Sequence, residues 1–433
     1  MKSSNSAMPV DFGKRWSSVC FAMVLFAALN FCQCVDPAHS TTVRPARTLF
    51  GTLDTQVSSA DTEKRAGLSV AMFELDWANF EPERGVFDAS YVTSMESILR
   101  KFRAEGMRIT LGLGLDDPPP WVYSLPDSMY VNQFGVVMPG PDMVFSQAVR
   151  QAAEGYLEQV AAHLPLRRVW AIRLTSGGDD EMLYPAGGTF WSFENSALTG
   201  ADLPPTMTPD PFPGWRPGNR GLSPSQVERY VTWYVGGLDD VTAWQMRLLN
   251  GLGFTGYYQL ITPGDGTRPD VLKAVEQQNL PNDGTTGVGA VWNQYYAMLP
   301  DKTNAVAYIS SVADQSGGDD TCQSADDRLP LTDPLMDSWS ATRWISRIAT
   351  ANGLLVGGEN AGYQTPASLE AHYLDSGSSG MMADALRQAT SCHFQVFYWA
   401  HDQNLWDGTI PFTRYQHDIA SAERPLSRIA AGF

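Results

Sequence analysis

The sequence predicts a single (β/α)8 barrel with enlarged loops after its strands. Short apolar runs alternate with longer segments of helical period, which is typical of a parallel α/β fold. Eight such units fit within residues 49–433. A doubly wound open sheet is the rival, but no helix opens on a glycine-rich dinucleotide fingerprint. With 43% hydrophobic and 11% aromatic residues, the 433-residue chain can bury a large core.

The elements follow from these runs in chain order. Helical periodicity predicts helices over 91–105, 145–163 and 223–249, from 269 onward and over 336–350, with a closing helix after the last strand. The eight predicted strands are residues 49–54, 69–77, 107–115, 169–174, 255–262, 305–312, 354–358 and 394–399.

Residues 1–34 are predicted to be a signal peptide. Lys14 and Arg15 precede an apolar run that ends in small residues suited to cleavage. An uncleaved membrane anchor is the alternative, because the run approaches the length of a span. Residues 35–48 form a polar lead-in, and residues 49–433 form the catalytic domain. We therefore expect a secreted or extracytoplasmic protein.

Composition and cysteine spacing exclude several classes of partner. A net charge of −17 argues against nucleic acid, which requires clustered Lys and Arg. No other apolar stretch reaches membrane length. Cys322 and Cys392 lie outside the signal peptide, and both a disulfide and two separate thiols are open. Neither has metal-ligand spacing, and the acidic stretch 314–320 lacks the EF-hand pattern, so no metal is expected.

Two glutamates close two of the predicted strands. Glu181 follows the fourth apolar run after two glycines and two aspartates, and Glu359 follows the seventh after a glycine pair. In a barrel these carboxylates face each other across the mouth. Glycosidic bonds are cleaved by one protonated and one ionised carboxyl group, without a cofactor. The acidic neighbours of Glu181 should raise its proton affinity, which suits a general acid.

Residues 73–88 resemble the W-x-x-x-E-P-x-x-G-x-F-D signature of clan A glycoside hydrolases, especially the family 42 β-galactosidases. Residues 106–121 are similar to the third strand of those enzymes. The resemblance implies that Glu181 is the acid/base, that Glu359 is the nucleophile, and that Trp399 lies under the bound sugar. An oligosaccharide or polysaccharide is the substrate class implied.

Further substrate-binding candidates lie at the predicted rim or beside the two glutamates. Each rim residue could equally be core packing or a strand-end cap. These candidates are Asp76, Trp77, Asp116, Trp121, Asp180 and Asn360.

The sequence around Glu181 departs from the clan A pattern. Asp180 stands where the clan normally has Asn, and residues 178–185 are similar to the acid motif of the inverting β-amylases. Three hypotheses therefore stay open: a retaining β-galactosidase-like enzyme, an inverting β-amylase-like glucan hydrolase, and a non-catalytic carbohydrate-binding barrel. The aromatic loop 182–222 either lines the substrate site or is packed for stability.

Overall fold

The computed structural model describes residues 47–422 except 265, 283, 319 and 320. The predicted signal peptide, almost all of the lead-in and the last two residues of the acidic stretch 314–320 lie outside the described residues. Within the described ranges, no helix is long and apolar enough to cross a membrane.

Eight parallel strands close into a barrel, which confirms the predicted fold. Their order around the barrel is β1-β2-β3-β6-β7-β8-β9-β10, and β10 pairs with β1. The remaining two strands form a separate antiparallel hairpin. The strands are β1 (Leu49–Thr52), β2 (Val70–Glu74), β3 (Arg108–Gly112), β4 (Met129–Val131), β5 (Val137–Pro141), β6 (Ala171–Leu174), β7 (Tyr257–Thr262), β8 (Ala305–Val312), β9 (Leu355–Asn360) and β10 (Val396–Trp399).

Helices follow the strands around the outside, as a (β/α)8 fold requires. The final helix is the predicted closing helix. The helices are α1 (Ala60–Arg65), α2 (Trp77–Phe80), α3 (Ala89–Ala104), α4 (Gln147–His163), α5 (Asn195–Thr199), α6 (Pro224–Gly251), α7 (Pro269–Gln277), α8 (Gly284–Gly287), α9 (Trp292–Met298), α10 (Ala341–Ala351), α11 (Ala367–Leu374), α12 (Met381–Ser391) and α13 (Phe412–Ala422).

Several element boundaries differ from the prediction, and two of the differences have a clear local cause. The second strand was predicted to reach residue 77, but the Asp76 carboxylate accepts the Asn79 N–H at 2.8 Å and begins α2 there. The predicted helix 336–350 begins only after Ser340, whose hydroxyl accepts the Arg343 N–H. The seventh strand runs two residues further than predicted, so Glu359 lies within β9.

Side chains fill the barrel interior. Val70, Met72, Ile261, Tyr308 and Tyr398 form a buried cluster inside the ring of strands. The Tyr398 hydroxyl lies 2.5 Å from the Thr110 hydroxyl and accepts a hydrogen bond from the Gln259 amide at 3.3 Å. A filled interior is normal for this fold, and it places substrate-binding chemistry at the carboxyl ends of the strands.

The aromatic loop 182–222 packs against α6. Tyr184 stacks on Tyr234 with ring centroids 4.1 Å apart, and Phe190 packs on the same ring at 5.5 Å. Phe190, Trp191 and Trp215 are all buried. These contacts favour packing for stability, the second of the two predicted roles.

Cys322 and Cys392 form a disulfide in the structure, with Cα atoms 4.9 Å apart. The bond joins the loop after β8 to the residue that follows α12. Of the two possibilities that the sequence left open, the structure contains the bridged one.

Candidate active site

Glu359 is held by side chains from two other strands of the barrel. It lies on β9, and its Oε2 accepts hydrogen bonds from Arg173 Nη1 on β6 at 3.0 Å and from the Tyr308 hydroxyl on β8 at 2.6 Å. The Glu359 side chain is only 11% exposed. Burying a carboxylate is costly unless it is paired and hydrogen-bonded, and both conditions are met here.

Arg173 is the counter-ion of Glu359. Burial lowers the pKa of Arg173, but Glu359, Tyr308 and Glu74 together more than offset this, so the net shift is upward. Its guanidinium also lies 4.9 Å from the centre of the Tyr308 ring. Both hydrogen bonds go to Oε2, and Oε1 accepts none from the described residues. Oε1 is therefore the oxygen available to a substrate.

Glu181 lies in the loop that follows β6. The loop is folded back by hydrogen bonds from Ser176 N to Glu181 O at 3.1 Å and from Met182 N to Ile261 O at 2.8 Å. The Glu181 side chain accepts a hydrogen bond from the Ser310 hydroxyl on β8. These contacts direct the carboxyl toward the barrel mouth.

Burial raises the pKa of Glu181 to about 8. The Ser310 hydrogen bond opposes this shift, whereas Asp180, Asp179 and Glu359 add to it. The sequence predicted the direction from the acidic neighbours, but burial is the larger cause. At neutral pH Glu181 is therefore mostly protonated.

The structure brings Glu181 and Glu359 close enough for the charge of one to affect the proton affinity of the other. One is mostly protonated at neutral pH, and the other is ion-paired with arginine. A protonated carboxyl group near a second one that is paired with a cation can act as a general acid beside a nucleophile or base. Their catalytic roles stay a prediction.

Further acids surround this pair. Glu74, at the end of β2, has a pKa raised to about 7 by burial, which Arg173 opposes and Asp116, Asp180 and Asp54 reinforce. The Glu74 side chain is nevertheless exposed to solvent. The Glu74 carboxyl is therefore surrounded by protein atoms but still reached by water, as expected for a residue on the floor of an open cleft. Gly112 leaves it room, since a Cβ there would lie 2.5 Å from the Glu74 carboxyl.

Two of the predicted substrate-binding residues belong to this acidic cleft. Asp116 is partly buried, and burial is the main cause that raises its pKa, with smaller effects from Asp180 and Asp117. Asp180 is exposed beside Glu181. Both can accept hydrogen bonds from the hydroxyl groups of a ligand.

The motif around Trp77 shapes the loop after β2. Trp77 is fully buried, stacks on Tyr156 with centroids 5.0 Å apart, and donates its indole N–H to Glu81 at 3.0 Å. The Glu81 carboxylate also accepts the Gly85 N–H at 2.8 Å. Trp121 is partly buried and meets the Trp77 ring edge-on at 6.2 Å. Trp77 therefore has no free ring face for a sugar.

The remaining candidates also make structural contacts. Trp399 is fully buried and stacks on Tyr373 with centroids 5.4 Å apart. The Asn360 side chain accepts the Ala400 N–H at 2.7 Å and ties β9 to the end of β10. Asp76 caps α2. The structure gives no support to sugar stacking by Trp399, and the substrate-binding roles of these residues stay predictions.

Sequence reasoning did not single out three residues of the site, Glu74, Arg173 and Ser310, and it ranked Tyr308 below the other candidates. Arg173 had a visible signal, because a charged residue inside an apolar strand needs a partner. The local sequence gave no signal for Ser310 and little for Tyr308, since residues of the fourth, sixth and seventh barrel strands meet only when the barrel closes. Among the described residues, no group of three or more His, Cys, Asp or Glu side chains could hold a metal ion.

Comparison with known proteins supports both the fold and the family resemblance. Residues 54–163 match the family model Glyco_hydro_42, described as β-galactosidase. No curated protein matches the chain. The catalytic domain of β-amylase from Paenibacillus polymyxa is similar in structure, with 14% identity, a TM-score of 0.56, and coverage of 87% of this chain and 98% of that domain. This likeness confirms the barrel fold.

Two β-galactosidase structures are also similar. The enzyme from Halorubrum lacusprofundi has 15% identity and a TM-score of 0.49, covering 81% of this chain and 52% of that one. The enzyme from Marinomonas ef1 has 14% identity and a TM-score of 0.46, covering 72% and 48%. The chain thus spans about half the length of these two proteins. The family match is confined to residues 54–163, and that part of the chain is similar to the β-galactosidases of glycoside hydrolase family 42.

Proposed function

We propose that the protein is a secreted, retaining glycosidase that releases the terminal sugar of a β-galactoside. The observation that carries this proposal is the contrast between its two carboxyl groups. Glu359 is paired with Arg173 and Tyr308, whereas the pKa of Glu181 is raised to about 8. Secretion rests on the predicted signal peptide at residues 1–34, and the choice of sugar rests on the family match.

In the first step, Glu181 donates its proton to the glycosidic oxygen while Oε1 of Glu359 attacks the anomeric carbon. The bond to the leaving oxygen breaks, an alcohol departs, and the sugar becomes an ester of Glu359. The ester no longer carries the negative charge that helps to raise the pKa of Glu181. Glu181 then ionises more readily, as the second step requires.

In the second step, the Glu181 carboxylate takes a proton from water, and the water oxygen attacks the anomeric carbon. The ester bond breaks and Glu359 leaves as a carboxylate, which Arg173 and Tyr308 stabilise through Oε2. Both donors are already oriented in the free protein, so little reorganisation is needed as the charge returns. Glu74, Asp116 and Asp180 are positioned to accept hydrogen bonds from the sugar hydroxyls.

The alkaline limb of the pH profile tests the role of Glu181. Since Glu181 acts as a protonated acid in the first step, kcat/KM should fall as pH rises through about 8. The Ser310 hydroxyl favours the ionised form of Glu181, so Ser310→Ala should raise the pKa further and move this limb to higher pH. We would measure kcat/KM on a β-galactosyl disaccharide, whose poor leaving group needs the acid.

Ser311→Ala is the matched control for this experiment. Ser311 is the next residue on β8, and its hydroxyl has no hydrogen-bond partner in the described structure. Removing the Ser311 hydroxyl should leave the alkaline limb of the kcat/KM profile at the same pH as in the wild type. A limb that stays in place, or moves to lower pH, in Ser310→Ala would contradict the assignment of Glu181.

Inverting hydrolysis of an α-glucan is the second candidate, because residues 178–185 are similar to the acid motif of β-amylases. In that mechanism Glu359 activates water instead of attacking the sugar. Turnover of maltooligosaccharides, with no turnover of β-galactosides, would favour it. Binding of sugars without turnover of any glycoside would favour the non-catalytic carbohydrate-binding barrel.

A further inference from the structure

A groove of about 380 Å³ lies on the outer side of the barrel, away from the candidate catalytic residues. It is bounded by the middle of α6, by residues 206–208 of the aromatic loop and by the end of α9. Its volume falls within the range of roughly 300–1,000 Å³ that is typical of small-molecule sites. The residues that matter below are Met207, Trp233, Gly236, Asp239, Asp240 and Met298.

Asp239 is the unusual feature of this groove. It is only 6% exposed, and neither of its carboxylate oxygens has a hydrogen-bond partner among the described residues. An unsatisfied buried carboxylate destabilises the folded state. Burial correspondingly raises the pKa of Asp239 well above its usual value, although Lys302 opposes the shift. Two acceptor oxygens without donors, beside an open groove, indicate a ligand that supplies donors.

The other walls of the groove are mainly apolar. Apolar side chains come from Met207, Trp233 and Met298. The Trp233 indole N–H donates a hydrogen bond to Thr208 O at 2.8 Å, so it is not available to a ligand. Gly236 leaves the helix surface open, since a Cβ there would meet no atom within 4 Å. An aromatic and aliphatic wall beside hydrogen-bond acceptors suits a sugar ring, which has apolar C–H faces and a hydroxyl edge.

The charges around the groove do not favour an ionic ligand. Asp240 is already neutralised by Arg150, with Nη1 and Oδ2 2.7 Å apart. Arg247 lines the groove, and Lys302 interacts electrostatically with Asp239, so a cation would meet two positive groups. An anion is itself a hydrogen-bond acceptor, so it would leave the Asp239 oxygens without donors. A neutral ligand that is rich in hydroxyl groups fits this balance best.

We propose that this groove is a second saccharide-binding site, in which Asp239 accepts hydrogen bonds from the hydroxyls of a neutral sugar. The choice of a saccharide rests on the proposed function. A site on the outer face would hold a distant part of an oligosaccharide or polysaccharide and raise its local concentration near the cleft.

Methionine methyl signals provide a direct test, because Met207 and Met298 both line the groove. We would label the methionine methyl groups with ¹³C, assign these two signals from Met→Leu variants, and titrate the Glu359→Gln protein with β-galactosyl and maltosyl oligosaccharides. Titration to about 10 mM covers a weak Kd of roughly 1 mM. We expect both signals to shift, and a protein without its nucleophile cannot consume the ligand.

Three variants locate the binding. Gly236→Leu should fill the groove and abolish the shifts. Gly155→Leu, at a glycine of α4 where a Cβ likewise meets no atom within 4 Å, should leave them unchanged. Asp239→Asn keeps the size of the side chain but replaces one acceptor oxygen with an amide donor, and should raise Kd about tenfold. Thermal unfolding of each variant would show that it is folded.

Absence of shifts for all oligosaccharides, or shifts that survive Gly236→Leu, would overturn the proposal. The test is independent of catalysis. If no glycoside is hydrolysed while the Met207 and Met298 signals still shift, the proposed function fails and the groove assignment stands. If β-galactosides are hydrolysed while the signals do not move, the groove assignment fails alone.

Discussion

Glu359→Ala is expected to lower turnover of a β-galactoside by about 10⁴-fold or more, the scale seen when a nucleophile is removed. The truncated side chain leaves a space beside Arg173 and Tyr308, which now hold Oε2 at 3.0 and 2.6 Å. Those donors can bind a small anion there. Added azide should therefore attack the anomeric carbon of an activated β-galactoside directly and give the α-galactosyl azide.

Two variants control this experiment. Glu370→Ala removes an exposed glutamate of α11 and should leave kcat/KM unchanged. Glu359→Gln fills the space with an amide. This variant should be inactive, and azide should not restore its activity. Turnover by Glu359→Ala at the wild-type rate without azide would remove Glu359 from its proposed role.

Arg173→Met is expected to have the largest effect on stability. It leaves the Glu359 carboxylate buried without its cation, and breaking a buried pair in this way costs about 3–5 kcal/mol in the free energy of unfolding. Chemical denaturation would measure the loss. The double variant Arg173→Met/Glu359→Gln removes both charges and should recover most of it, so the two effects should be far from additive.

Arg65→Met is the matched control for the ion pair. Arg65 pairs with Asp61 on the surface, where their side chains are 68% and 55% exposed, so its loss should cost about 1 kcal/mol or less. Equal effects of Arg65→Met and Arg173→Met would contradict the structural importance that we assign to the Arg173–Glu359 pair.

The barrel could be predicted because buried parallel strands are recognisable as short apolar runs. The sixth barrel strand, β8, was predicted with the bounds that the structure gives it, Ala305–Val312. Local side chains decided the boundaries that were missed, as where the Asp76 cap begins α2. The hairpin of β4 and β5 escaped notice because its strands are only three and five residues long.

Within the candidate site, the sequence predicted the two glutamates but not the side chains that surround them. Glu359 was found as a lone acid after an apolar strand. Its partners Arg173 and Tyr308 come from other strands, and only the closed barrel brings them together. The family resemblance led us to expect Trp399 under a bound sugar, but Trp399 is fully buried and stacks on Tyr373.

The anomeric configuration of the first-formed product tests the central claim most directly. Wild-type protein would be mixed with a β-galactoside and followed by ¹H NMR before the free sugar mutarotates. Two successive displacements at the anomeric carbon, the first by Glu359 and the second by water, predict that β-galactose appears first. Initial release of α-galactose would show a single displacement by water and would contradict the assignment of Glu359 as the nucleophile.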